Sequence, residues 1–176
     1  MMKEKKLYLL AVLDKESQER LAGYYDVLRQ NGFTGKQTKN IPYHFTLGMK
    51  DPVCEKQLIE DLDRICADTS CIDIHLSNIG LFGLNVLFIA PAMNFELLTL
   101  QQKFFPTCGN GAHNWIAHAT LLIDEPEKIQ KALPIAAENF RPFIGRIESI
   151  ALYEFFPMRF IKECPLKKNR GRELIQ

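Results

Sequence analysis

The sequence has almost no excess charge of either sign. Its 22 Lys and Arg residues are balanced by 21 Asp and Glu residues, which leaves a formal net charge of +1. Strong sequence-independent binding to duplex nucleic acid depends on a large basic excess, so this composition disfavours that function. A small nucleotide or a short RNA is compatible with it. The basic C-terminal tail, at about residues 165–176, is more often a solvated end than a nucleic-acid contact.

Long hydrophobic runs are also missing. The apolar run that begins at Leu7 stops at Asp14 after seven residues, which is too short for the core of a signal peptide. No stretch approaches the ~20 apolar residues that a membrane-spanning helix needs. We therefore expect a cytoplasmic, monomeric protein that has no membrane partner.

Motifs for metals and common cofactors are absent as well. The five cysteines are odd in number and none are spaced as C-x-x-C, which argues against a disulfide framework or a zinc knuckle. No group of His, Cys and carboxylate residues has metal-ligand spacing. Gly109 and Gly111 form neither a P-loop nor a G-x-G-x-x-G pattern. We expect no metal and no cofactor.

What the chain does have is the same order of elements twice. Apolar periodicity predicts strands over residues 7–13, 43–49, 72–82, 86–90, 116–123, 147–155 and 159–163. Helix-starting residues precede four helical patterns, at Asp14, at Asp51-Pro52, at Pro91 and at Asp124 with Pro126. Each half of the chain therefore reads strand, helix, strand, helix, strand.

This repetition predicts an internal duplication. The first strands of the two halves are offset by about 78 residues, the middle strands by 74 and the closing strands by 71. We expect one α+β domain over residues 1–176, bilobal, with two pseudo-symmetric β-α-β-α-β units and a central cleft between their sheets. The units would span about residues 6–82 and about residues 84–156.

Each middle strand contains a His-x-Thr motif, at His44–Thr46 and at His118–Thr120. Residues i and i+2 of a strand point to the same face, so each strand presents one imidazole and one hydroxyl together. Two such motifs among four histidines have odds of about 1% by chance, a rough false-positive risk for so short a motif. A single motif of this kind would favour a core histidine, but the matched pair favours a shared site.

Two imidazoles and two hydroxyls around one point suit a phosphodiester. In phosphoryl transfer the attacking and leaving oxygens lie on opposite sides of phosphorus, so a neutral His can take one proton while a protonated His gives another. Histidine can fill either role near neutral pH. The hydroxyls of Thr46 and Thr120 can donate to the non-bridging oxygens and bind the phosphate.

The segments YHFTLGMK, at residues 43–50, and IAHATLLID, at residues 116–124, resemble the paired H-x-T-x motifs of the 2H phosphoesterase superfamily. This superfamily includes RNA 2′,3′-cyclic phosphodiesterases once named 2′-5′ RNA ligases. The resemblance implies a metal-independent hydrolase with His44 and His118 as catalytic residues. It also implies that His118 is the base and His44 the acid, an assignment that the residues themselves leave open.

Three further residues are candidates for substrate binding. Lys36 and Lys39 lie in the loop before the first motif strand, and Trp115 immediately precedes the second. They would contact phosphate and stack on a base, although solvent-facing lysines and a core tryptophan are the more common explanation. His75 and His113 are interpreted as an exposed strand residue and a loop residue.

The expected substrate is therefore a nucleotide or RNA with a cyclic phosphate or a 2′-5′ linkage. The alternative is a non-catalytic protein that binds nucleotides or RNA ends with the same four side chains. The presence of both His–Thr pairs favours the enzyme, because a binding protein does not need two titrating groups. A generic α+β scaffold with two accidental motifs is the third hypothesis.

Overall fold

The computed structural model describes residues 4–106 and 115–168. It has an α+β fold, as the sequence predicts, with one antiparallel sheet and four α-helices in the described part. The strands are β1 (Lys6–Leu13), β2 (His44–Lys50), β3 (Ile72–Phe82), β4 (Val86–Pro91), β5 (Ala119–Ile123), β6 (Phe143–Phe155) and β7 (Arg159–Pro165). The helices are α1 (Lys15–Gln30), α2 (Glu55–Ala67), α3 (Phe95–Phe104) and α4 (Pro126–Asn139), with a 3-10 turn at Pro52–Cys54.

The strand order of the sheet is β2-β1-β6-β3-β4-β5, and β7 pairs with β6 beside β3. β6 is the longest strand, because its first residues pair with β3 while its remainder pairs with β7. The two strands that carry the motifs thus stand at opposite ends of the order. They nevertheless contact each other, because the sheet twists and curls.

The ladders that carry the two motifs share one irregularity. Leu10 lies opposite Thr46 while its neighbour Leu9 lies opposite Gly48, so the register passes over the residue that follows Thr46. In the same way Phe88 lies opposite Thr120, and the register passes over the residue that follows Thr120. Such bulges bend a strand and re-aim its side chains.

The two faces of β1 show how the chain separates core from cleft. Leu7 and Leu9 are fully buried in the main core, which contains residues of α1, α2 and α3. Leu10 and Val12 point to the other face, where they form a smaller cluster with residues of β6. The period-two alternation of a strand places these residues on opposite faces of the sheet.

Most helix starts follow the sequence, with one correction. Asp14 caps α1 and accepts a hydrogen bond from the Ser17 backbone N–H at 3.3 Å. Pro91 was predicted to open a helix, but it ends β4 opposite Leu76. The helix starts later because Asn94 provides the cap, accepting from the Leu97 N–H at 2.8 Å.

No helix in the described part of the chain is both long and apolar enough to cross a membrane.

Candidate active site

The first motif lies at the start of β2. Phe45 and Leu47 are fully buried in the main core, whereas His44 and Thr46 are partly exposed on the opposite face of the strand. The entry to this strand is held by Gln18 of α1. Its side-chain amide accepts from the Tyr43 N–H at 2.7 Å and donates to the Tyr43 carbonyl at 2.8 Å. Two bonds to one residue fix the backbone immediately before His44.

The second motif differs slightly from the predicted strand. Pairing with β4 begins at Ala119, opposite Ile89, so His118 lies one residue before the first paired position rather than within the strand. Ala119 and Leu121 are buried in the main core, and Thr120 is partly exposed. The motif therefore has the same division between core and open face as the first one.

The two imidazoles are held by the same kind of hydrogen bond. His44 Nδ1 lies 2.7 Å from the Pro42 carbonyl, and His118 Nδ1 lies 2.7 Å from the Ile116 carbonyl, in each case two residues earlier in the chain. A carbonyl oxygen can only accept, so each Nδ1 carries the proton of this bond. The arrangement leaves Nε2 of each ring as the nitrogen that can exchange a proton with a substrate.

The His118 ring packs between aromatic side chains. Its centroid lies 4.6 Å from that of Phe82 in an edge-to-face arrangement and 5.2 Å from that of Phe88. Aromatic contacts of this type restrict the ring orientation. Together with the carbonyl bond, they define the direction of His118 Nε2.

Burial lowers the pKa of both histidines below the ordinary value. For His44 the loss of solvent is the largest cause, the Pro42 carbonyl opposes it, and the charge of His118 lowers the pKa further. For His118 burial also dominates, opposed by the Ile116 carbonyl. The effect of the His118 charge on His44 indicates that the two rings lie within electrostatic range of each other.

A cavity of about 640 Å³ opens at this site. His44, Thr46 and Thr120 line it, so side chains of both motif strands meet around the same space. Its other walls come from β1, α1, the loop before β2, β5 and the end of β6; they include Tyr8, Leu10, Tyr25, Lys39, Asn40, Ile41, Leu121, Ile123, Phe155 and Phe156. The volume lies within the range of ligand pockets for small molecules.

Two side chains from the second half of the chain hold the backbone of β2. Trp115 Nε1 donates to the Thr46 carbonyl at 2.8 Å, and Gln101 Nε2 donates to the Leu47 carbonyl at 3.3 Å. These contacts join β2 to α3 and to the segment that precedes β5. Sequence reasoning missed Gln101, although a polar residue on the buried face of α3, four positions after Leu97, was a usable signal.

The three candidate substrate-binding residues occupy different places. Lys36 forms an ion pair with Glu125, and its backbone N–H donates to the Ile123 carbonyl at 2.7 Å, so it joins its loop to the end of β5. Trp115 packs against the main core while making its bond to Thr46. Lys39 lines the cavity. Substrate contact by these residues stays a prediction.

His75 lies outside this geometry. His75 is exposed on β3, as its place in the sequence pattern suggests. His113 lies outside the described residues. Within residues 4–106 and 115–168 no group of three or more His, Cys, Asp and Glu side chains is arranged to hold a metal ion.

Solved structures similar to this one include phosphoesterases. A structure described as a phosphoesterase matches 93% of this chain and 99% of its own, with a TM-score of 0.63 and 18% identity. Escherichia coli LigT in complex with 3′-AMP matches over the same shares, with a TM-score of 0.61 and 18% identity. The protein TT0787 of Thermus thermophilus matches 94% of this chain and 100% of its own, with a TM-score of 0.58 and 14% identity.

This chain has the LigT fold. The resemblance to 2H phosphoesterases is therefore confirmed at the level of the fold. E. coli LigT has also been crystallised with phosphate, ATP and NADP+, so that protein accommodates phosphate-bearing ligands. No protein-family model and no curated protein matches this sequence.

Proposed function

We propose that this chain is a metal-independent 2H phosphoesterase that opens a 2′,3′-cyclic phosphate or cleaves a 2′-5′ phosphodiester of RNA or a nucleotide. The observation that carries the proposal is the matched pair of imidazoles, each bound through Nδ1 to a carbonyl two residues earlier. Both rings thus offer Nε2 to a substrate, and one cavity joins the two motif strands. We expect the protein to act as a cytoplasmic monomer.

The strand pairing supports the proposed duplication. The strand order is unchanged when β1, β2 and β3 exchange places with β4, β5 and β6. In the resulting two-fold arrangement, each closing strand pairs with the first strand of the other unit.

The register supports the duplication residue by residue. The 78-residue and 71-residue offsets convert the pairing of Leu9 with Leu152 into that of Leu87 with Leu81. The register shift of the β1–β6 ladder likewise corresponds to that of the β3–β4 ladder. An unrelated α+β chain has no reason to repeat its irregularities at matching positions.

The proposed mechanism divides acid and base roles between the rings. Water attacks phosphorus and gives its proton to the neutral imidazole, while the protonated imidazole gives its proton to the leaving ribose oxygen. Thr46 and Thr120 hydroxyls donate to the non-bridging oxygens as charge develops. Following the superfamily, we assign the base to His118 and the acid to His44.

A non-catalytic nucleotide or RNA-end binding protein is the alternative. A binding protein would gain nothing from two histidines that are held in the same tautomer with Nε2 free, so the pair of fixed tautomers favours the enzyme. Binding without turnover of any substrate would favour the alternative.

Turnover of a small substrate panel tests the proposal. The panel contains 2′,3′-cyclic nucleotides and 2′-5′ and 3′-5′ dinucleotides, with EDTA present throughout. We expect turnover of a cyclic or 2′-5′ substrate, and a loss of at least ~10²-fold in His44→Ala, the usual effect of losing an acid or base. His75→Ala, an exposed histidine on β3, is the matched control and should keep the full rate.

A further inference from the structure

The two halves differ at one pair of corresponding positions beside the motifs. Leu10 lies opposite Thr46 on β1, whereas Phe88 lies opposite Thr120 on β4. The Phe88 ring packs against the ring of His118. The first half therefore has a smaller, aliphatic side chain where the second half has an aromatic ring.

Gly80 explains how the larger side chain fits in the second half. It pairs with Phe88, and a Cβ atom at Gly80 would lie 2.3 Å from the Phe88 ring. The ring therefore occupies the space that a side chain at this position would fill. In the first half the corresponding pair is Leu10 with Ala151, which has a methyl group where the second half has Gly80. An aromatic ring thus occupies this position in the second half, and the smaller Leu10 side chain occupies it in the first.

The cavity lies beside Leu10, and Thr120, Leu121 and Ile123 of β5 also line it. From His44 and Thr46 it continues to a wall formed by Tyr8, Phe155 and Phe156. The Tyr8 and Phe155 rings stand edge to face with their centroids 5.2 Å apart, so this wall is ordered by its own packing. An aromatic surface next to His44 and Thr46 suits a nucleotide, because the rings can stack on the base while the motif side chains bind the phosphate.

Part of the cavity lining is polar. Thr38, Lys39 and Asn40 of the loop before β2 line the same cavity. Asn40 has a backbone φ of 60°, a left-handed conformation that Asn tolerates better than most residues. Hydroxyl, ammonium and amide groups facing an aromatic wall can bond the polar edge of a base whose face stacks on the rings.

We propose that this cavity is a nucleobase subsite on the His44 side of the cleft, walled by Tyr8, Phe155 and Phe156. The proposal rests on the proposed function and names the part of the substrate that the site selects. The nucleoside attached to the phosphate lies on the His44 side, and the His118 side, filled by Phe82 and Phe88, receives no base.

The placement of the nucleoside has a consequence for a cyclic phosphate. The ribose oxygen that leaves then lies toward His44, and water enters from the side of His118. A new bond forms between the water oxygen and phosphorus, and the bond from phosphorus to the ribose oxygen breaks. The water proton passes to His118, and the His44 proton passes to the ribose oxygen, which leaves the reaction balanced.

Leu10→Phe tests the subsite because it places a phenylalanine in the first half at the position that corresponds to Phe88 in the second half. Kinetics are measured with adenosine 2′,3′-cyclic phosphate and with ribose 2′,3′-cyclic phosphate, which lacks the base. We expect KM for the adenosine substrate to rise by about tenfold, the scale of one lost base–aromatic stack, with KM for the ribose substrate unchanged. Equal changes for both substrates would overturn the subsite.

A second pair of variants guards against a fold defect in Leu10→Phe. Phe156→Ala removes a partly exposed ring from the cavity wall, and Phe160→Ala removes a comparably exposed ring of β7 that packs on Tyr153 outside the cavity. KM for the adenosine substrate should rise in Phe156→Ala and stay unchanged in Phe160→Ala. An unchanged KM in both variants overturns the subsite. Wild-type protein that turns over neither cyclic phosphate contradicts the proposed function instead.

Discussion

At the scale of single residues, the proposed chemistry depends on which nitrogen of each imidazole is free to meet a substrate. The carbonyls of Pro42 and Ile116 fix Nδ1 as a donor, so Nε2 is the nitrogen that would exchange protons in both rings. At His44 this geometry is reinforced from α1, because Gln18 binds both polar atoms of the preceding residue. A fixed tautomer lets the ring act without first reorganising its hydrogen bonds.

The lowered pKa values of both histidines predict the shape of the pH profile. The base must be neutral and the acid protonated, so kcat/KM should follow a bell whose two apparent pKa values belong to the pair. Burial lowers the pKa of both histidines. Compared with ordinary histidines, the acid therefore loses its proton at a lower pH, and the base remains neutral down to a lower pH. We therefore expect both limbs of the bell to lie at lower pH than a pair of unperturbed histidines would give.

Steady-state rates measured across the pH range with EDTA present check this expectation. The His75→Ala variant should give the same bell, because His75 is exposed on β3. A rate that rises through one ionisation and stays flat to high pH would show that the two rings do not divide the roles. A strict requirement for Mg²⁺ or Mn²⁺ would point to a metal site instead.

Single residues were predictable from sequence where two copies could be compared. The spacing of the motifs identified His44, Thr46, His118 and Thr120 as one candidate set; three of them line one cavity, and the fourth is coupled to His44 through its charge. Gln18 gave no comparable signal, since one glutamine in the first turn of a helix resembles any solvated polar residue. Its two bonds to Tyr43 depend on where α1 packs, and spacing alone does not encode that.

At the scale of elements, the motif strands are held by parts of the other half of the chain. Trp115 and Gln101 bind carbonyls of β2, and the loop containing Lys36 binds the end of β5. These strands end the sheet, so their outer carbonyls and N–H groups need partners from outside it. Strand existence and most strand bounds followed from periodicity, whereas these crosswise contacts join residues far apart in sequence.

Trp115→Phe separates two roles for this side chain. Phe keeps an aromatic ring that could stack on a base but removes the Nε1–H that binds the Thr46 carbonyl. Loss of this bond should destabilise the fold by about 1 kcal/mol and displace the Thr46 hydroxyl. We expect kcat to fall by roughly tenfold, because the Thr46 hydroxyl would be less well aligned to donate to the charge that develops on the phosphate.

Urea unfolding and steady-state kinetics of Trp115→Phe provide the measurement. An unchanged kcat with unchanged stability would mean that the bond does not position Thr46. Retained activity in Trp115→Phe together with a raised KM in Trp115→Ala would support base stacking, the role that the sequence suggested.

At the scale of the whole molecule, one antiparallel sheet brings the two motif strands into contact. The strand order reads the same from either unit, and the bulge after each Thr recurs at the corresponding place. The proposed duplication could be inferred from the sequence because the offsets of 78, 74 and 71 residues can be counted there. The difference between Leu10 and Phe88 could not be predicted in this way, because both are ordinary apolar strand residues in the sequence. Its meaning depends on the contact of the Phe88 ring with Gly80, which only the structure shows.

The most direct test of the account compares two leaving groups in two histidine variants. A ribose oxygen needs a proton to leave, whereas nitrophenolate leaves without one. The account predicts that His44→Ala and His118→Ala each lose at least ~10²-fold in kcat on a 2′,3′-cyclic nucleotide. On bis(4-nitrophenyl) phosphate, His44→Ala should recover most of the wild-type rate while His118→Ala stays impaired. If His118→Ala recovered its rate on this substrate instead, His118 would be the acid and His44 the base. A full wild-type rate on the cyclic nucleotide in either variant would contradict the shared catalytic site.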